Sequence, residues 1–333
     1  MAHIDYHVNN LSKDVKKTML SRVLVSLMIL LTVLPLVIVG DYGIFCIVLF
    51  IVGASGHEIL HVVKNKYQLD ASIYIVTYFA LFLPFIITPL LNNLYGNYPL
   101  YDLVHGFTSF NFLFISVVII LICNLALTIL NKKFNLDLAF YLICLELLIV
   151  LGCLSVLYLR YLPLLNTLNS NNIDIYDGSI SLVDRFLTST ILLLYIAAGA
   201  IFNDIFAYFT GVLFGKHKMC PKISPKKTWE GFIGGVVFSC LLTFGIAMLL
   251  TYYNCPLFNK ISLDKWYLIL IISLVIPFVG TLGDLFFSSV KRHFDIKDFG
   301  VLLKSHGGVL DRMDSILFAC IVGTLIVALI NIF

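Results

Sequence analysis

The chain has 333 residues, of which 60% are hydrophobic and 12% charged, with a formal net charge of +3. Mean hydropathy is +0.99, whereas soluble domains carry roughly a quarter charged residues. The composition therefore excludes a soluble globular protein and leaves an integral membrane protein.

Apolar stretches of about 20 residues, enough to cross a bilayer, recur to the C-terminus. They predict an all-α polytopic bundle of about nine transmembrane helices, at 20–40, 43–63, 73–92, 110–130, 138–158, 187–214, 232–253, 266–287 and 315–333. The sixth holds Asn203 and Asp204 and is expected to be broken or tilted. The first residues are polar, and no cleaved leader is expected.

With the N-terminus in the cytosol, nearly all of the 22 lysines and arginines fall on the cytosolic side. Only Arg160, Arg185, Lys260 and Lys265 fall outside. The 8 cysteines are scattered without C-x-x-C spacing and read as packing residues.

The chain changes character along its length. Residues 1–185 read as N-terminal transmembrane helices with short connectors. Their last connector, 160–185, contains NTLNSNNIDIYDG and reads as a solvated outer loop. Residues 186–333 read as a catalytic transmembrane region, because polar residues gather there in two cytosolic loops, 203–235 and 283–315. Such concentrated charge suits an anionic substrate.

His57, Glu58 and His61 read H-E-x-x-H, the helical spacing of a zinc metalloprotease. An intramembrane protease needs a distant carboxylate as third ligand, and the nearest match, Val309-Leu310-Asp311-Arg312, lies in a basic loop. The two histidines read instead as interfacial or packing residues. Glu58, near a span end, is a candidate support for the site.

Asp284 lies near the cytosolic end of the eighth span, where a carboxylate implies a partner or a metal. Asp311 and Asp314 open the ninth span at i, i+3, on one helical face. Asp284 and Asp311 are therefore expected to share a divalent ion, and hard oxygen ligands in small number suit Mg2+. Gly307 and Gly308 precede a helix start, where backbone N–H groups can meet a phosphate. Lys291, Arg292, Lys297 and Arg312 surround them, and Lys226 and Lys227 follow Ser224 and Pro225 before another span. Metal carboxylates and cations beside a membrane are equipment for phosphoryl or nucleotidyl transfer. No Walker A or kinase glycine loop occurs.

Ser288-x-Val-Lys-Arg-x4-Lys-Asp-x-Gly, ending at Gly300, followed by His-Gly-Gly-Val-Leu-Asp-Arg-Met-Asp over 306–314, resembles the signature of the phosphatidate cytidylyltransferases, or CDP-diacylglycerol synthases. SPKKTWEG at 224–231 and NDIFAYFTGVLFG at 203–215 are similar to further blocks of that family. Over the first 190 residues the likeness is one of hydropathy alone. Lys304 and Ser305 replace the family's usual Pro-Gly.

The resemblance implies a nucleotidyltransferase of phospholipid biosynthesis, making CDP-diacylglycerol and pyrophosphate from CTP and phosphatidate. It implies Asp284 and Asp311 as metal ligands, with a second cation open. Lys227, Lys291 and Arg292 would be catalytic. Lys226, Ser288, Lys297, Asp298, His306, Gly307, Gly308, Arg312, Asp314 and Asp204 would bind or orient substrate. It further implies a multi-pass protein with a cytosol-facing site, in a bacterial plasma membrane or endoplasmic reticulum, and a homodimer. No nucleic-acid partner is expected. The competing readings are a CTP-dependent polyprenol- or phytol-type lipid kinase, an anion transporter, and the metalloprotease.

Overall fold

A computed structural model describes residues 28, 31–38, 42–95, 110–171, 182–253, 257, 263–302 and 307–332. After a helical piece at 31–38, the helices are α1 (Tyr42–Lys64), α2 (Ala71–Tyr95), α3 (Phe110–Leu130), α4 (Leu136–Asn171) and α5 (Leu182–Phe214). A small hairpin follows, β1 (Lys218–Cys220) and β2 (Ser224–Thr228), then α6 (Trp229–Tyr252), α7 (Trp266–His293) and α8 (Leu310–Ile332). Among the described residues, six helices are long and apolar enough to cross a membrane, and the two shorter stretches 71–86 and 114–130 are also apolar. This is a multi-pass membrane bundle. Its outer faces carry bare aliphatic side chains such as Ile129, 85% exposed, which only lipid or another apolar surface would suit. The predicted 20–40 span lies largely outside the described residues.

The core runs through α1, α2 and α4, where Val48, Val52, Ile59, Leu81, Phe85, Leu142 and Ile149 are fully buried. Polar groups in this half bind helices to one another. Asn124 on α3 donates to Glu146 on α4 at 2.7 Å. Arg160 is buried and donates to the carbonyls of Val37 and Ile38 at 3.0 and 3.2 Å. The loop expected from residue 160 is therefore helix as far as Asn171. The polar run there does not end α4.

Close helix approach in the second half follows from its glycines. A Cβ on Gly231 would stand 2.8 Å from the Ala207 carbonyl, and one on Gly234 2.6 Å from Thr210. Small residues at such a crossing let two backbones meet inside a membrane. Thr228 starts α6 by accepting the Gly231 N–H at 3.1 Å, an N-cap. The expected break in α5 does not occur. Buried Asn203 donates to Thr281 on α7 at 2.8 Å, so its amide serves a helix contact rather than a bend.

Candidate active site

The site forms where α5, α7, α8 and the hairpin meet. The hairpin was hidden in the sequence, and it separates the paired lysines. In an extended strand, successive side chains point to opposite faces. Lys227 turns inward and pairs with Asp284 at 2.6 Å, while Lys226 is exposed on the other face. The two side chains therefore leave the strand on opposite faces. Glu230 fixes the hairpin's base, accepting the N–H groups of Lys216 and His217 at 3.1 and 3.2 Å and meeting the His217 ring at 2.5 Å. Arg292, at the end of α7, donates to the carbonyls of Ile223 in the hairpin turn and Ile296 in the next loop. Its guanidinium thus ties two loops together.

Asp284 also accepts the Ser288 hydroxyl at 3.3 Å. Gly283 lets α8 close on α7 at this level, since a Cβ there would stand 2.7 Å from the Asp314 carbonyl and 2.8 Å from Phe318. As a result the carboxylates of Asp204, Asp284 and Asp314 lie within Coulombic reach of one another, with Lys227 and Lys291 beside them. Ser315 donates to Asp204 at 3.2 Å. Asp314 is buried, and its carboxylate accepts the Ser315 N–H at 2.7 Å.

Asp311, the other expected metal ligand, is also engaged within the protein. One oxygen takes Lys291 at 2.9 Å, and the other accepts the N–H groups of Phe299 and Gly308 at 2.8 and 2.9 Å. Its side chain is 4% exposed. With three donors on two oxygens it holds Lys291, Phe299 and Gly308 together. The carboxylates that gather around Asp284 are Asp204 and Asp314. The start of α8, expected to offer free N–H groups to a phosphate, is filled by the protein's own acids. Gly308 gives its N–H to Asp311, and Val309 and Leu310 give theirs to Glu58 at 2.7 and 2.8 Å. Gly307, at φ +80°, makes the turn that this needs.

Lys297 and Asp298 are exposed in the loop after α7, and Arg312 is exposed on α8. His306, Lys304 and Ser305 lie outside the described residues. His57 and His61 are exposed, with ring centroids 6.4 Å apart. Both oxygens of Glu58 are committed to backbone amides, so it is no free general base.

Among the described residues, no three His, Cys, Asp or Glu side chains converge tightly enough to hold a metal unaided. The donor set still fits Mg2+, which binds through one or two carboxylates and takes water and substrate phosphates as its other ligands.

Fold and site together define a membrane-embedded protein with an acid–lysine cluster suited to phosphate chemistry. The sequence matches the cytidylyltransferase family over residues 20–330, and the chain belongs to that family. Curated relatives named phosphatidate cytidylyltransferase include those of Staphylococcus haemolyticus, 47% identical, and of Staphylococcus saprophyticus and Staphylococcus aureus (strain COL), each 45% identical. Each match covers 116 residues, 35% of this chain and 41% of the relative, so the chain matches less than half the length of these relatives.

Proposed function

We propose that this protein is a phosphatidate cytidylyltransferase, making CDP-diacylglycerol and pyrophosphate from CTP and phosphatidate. One observation carries the reading most: Lys227–Asp284 and Lys291–Asp311 stand side by side with Asp204 and Asp314 at one end of a membrane bundle. Family membership and the relatives' names support it.

In the reaction a phosphate oxygen of phosphatidate forms a bond to the α-phosphorus of CTP. The bond from that phosphorus to the α–β bridging oxygen breaks, and pyrophosphate leaves with the electron pair. A phosphate monoester is largely ionised at neutral pH, its second pKa being about 6, so the attacking group needs little help from a base. Positioning and charge stabilisation do most of the work. Lys227 and Lys291 are the cations placed to hold phosphate oxygens. Mg2+ would sit at Asp284 with Asp204 or Asp314, and its chemistry is to neutralise phosphate charge. The site faces the cytosol in this reading, supported by the lysine and arginine bias. The assembly expected from the family resemblance is a homodimer.

The test is purified full-length protein in mixed micelles with labelled CTP, phosphatidate and Mg2+. Lipid-dependent CDP-diacylglycerol and pyrophosphate are expected, lost with EDTA and in Asp284→Asn. A labelled lipid phosphate with CDP as by-product would identify a lipid kinase instead. Folded protein that forms no lipid nucleotide would sink the proposal.

A further inference from the structure

Glu58 belongs to the SGHEILHVV stretch of α1, and the reaction above does not use it. It is 3% exposed. Among the described residues no lysine or arginine pairs with it. Its two oxygens instead each accept one N–H from the first turn of α8, at 2.7 and 2.8 Å, across 251 and 252 residues of sequence. The packing is close on both sides. A Cβ on Gly308 would stand 2.5 Å from both carboxylate oxygens, and one on Gly300 2.9 Å from the side chain.

The reason lies at the helix start. Helices normally begin with Ser, Thr, Asp or Asn, whose side chain meets the unpaired N–H groups. Here the first carbonyl of the helix ladder, accepting from Met313, belongs to Val309, whose side chain has nothing to accept with. Glu58, from another helix, instead accepts the N–H groups of Val309 and Leu310, two of the unpaired donors at this helix start. Its negative charge also suits the positive end of the helix dipole. Asp311 is the next residue after Leu310, and it carries Lys291 and the amides of Phe299 and Gly308.

We propose that Glu58 is a positioning residue for the reaction. It clamps the start of α8, and through it sets where Asp311, Lys291 and Asp314 stand. The claim rests on the functional reading above, so its test has a readout that is independent of activity.

Full-length wild type, Glu58→Gln and Glu58→Asp are compared by amide hydrogen exchange and by kinetics. Gln keeps the shape but places an NH2 group against one of the two N–H donors. Exchange at Val309 and Leu310 is expected to rise at least about tenfold. A misplaced site costs on the order of 10²-fold, so kcat is expected to fall about 10–100-fold while KM for CTP changes far less. Asp, one methylene shorter, should recover part of both. Arg160→Ala serves as a destabilised control far from the site: at a matched drop in melting temperature it should retain kcat. Should Glu58→Gln not fold, Gly300→Ala presses on the same carboxylate and should give the same pattern more weakly.

Unchanged exchange at Val309 and Leu310 overturns the clamp. Faster exchange with unchanged kcat overturns the positioning role. A control that loses as much kcat as Glu58→Gln does so too. Wild type that turns over no CTP overturns the functional reading, and exchange in the same variants then still decides the clamp.

Discussion

The two halves of the bundle handle polar residues in opposite ways. In α1–α4 several are buried and serve structure. Glu146 is held by Asn124, and Arg160 by two backbone carbonyls. In α5–α8 and the hairpin they gather at one end, with acids beside lysines. Inside a membrane an isolated polar group must find a partner, and the first half meets such groups with uncharged or backbone partners. The second half crowds several acids together and balances them with lysines. Such crowding costs stability, and the cost makes sense where a charged ligand is handled. Glu58 is a first-half acid whose partners, Val309 and Leu310, lie at the start of α8 in the second half.

The sharpest way to test this contrast is Lys227→Ala. Removing a preorganised cation from the transferring phosphate should cost about 10²–10³-fold in kcat, and leaving Asp284 without its counter-ion should also lower the melting temperature. Assays of turnover and thermal unfolding on one preparation would check it. Gly283→Ala should come next, because its Cβ meets the Asp314 carbonyl and Phe318 below 3.0 Å. Overpacking of this kind costs about 1–3 kcal/mol and would push Asp314 away from Asp284, so stability and kcat should fall together. Arg160→Ala should lower stability by about 1–3 kcal/mol through unpaired carbonyls and spare turnover per folded molecule. A kcat loss as large as that of Lys227→Ala would erase the contrast. Smallest is Lys226→Ala on the hairpin's outer face, expected within about 0.5 kcal/mol of wild type in stability. Its expected effect is a weaker, salt-dependent rise in KM for CTP, because an exposed lysine contributes by long-range attraction.

The helices were legible because each lipid-crossing segment must be apolar for about 20 residues, and α1, α2, α3, α6 and α8 lie close to their predicted positions. The hairpin was not. Its strands are short and charged, with no apolar alternation to read, and β2 contains a proline. The far end of α4 was missed because polar composition reads as loop while the structure continues the helix. In the site, the i, i+3 relation of Asp311 and Asp314 was visible, but their division of labour was not. That division depends on Gly283 setting the approach of α7, and on the N–H groups of Phe299 and Gly308 meeting at Asp311. Glu58 could be suspected from its place near a span end. Its partners, 251 residues away, could not.

The Lys227–Asp284 contact at 2.6 Å has a consequence for ligand traffic. Before any anion arrives, this lysine already has a counter-ion. On the proposed function, a nucleotide phosphate entering here would trade places with a carboxylate, and the carboxylate so released would be free to take up the ligand's accompanying cation. The centre then works as an ion exchanger. Entry and departure would then be swaps of partners, tempering affinity and letting the anionic leaving group go as the original pair re-forms.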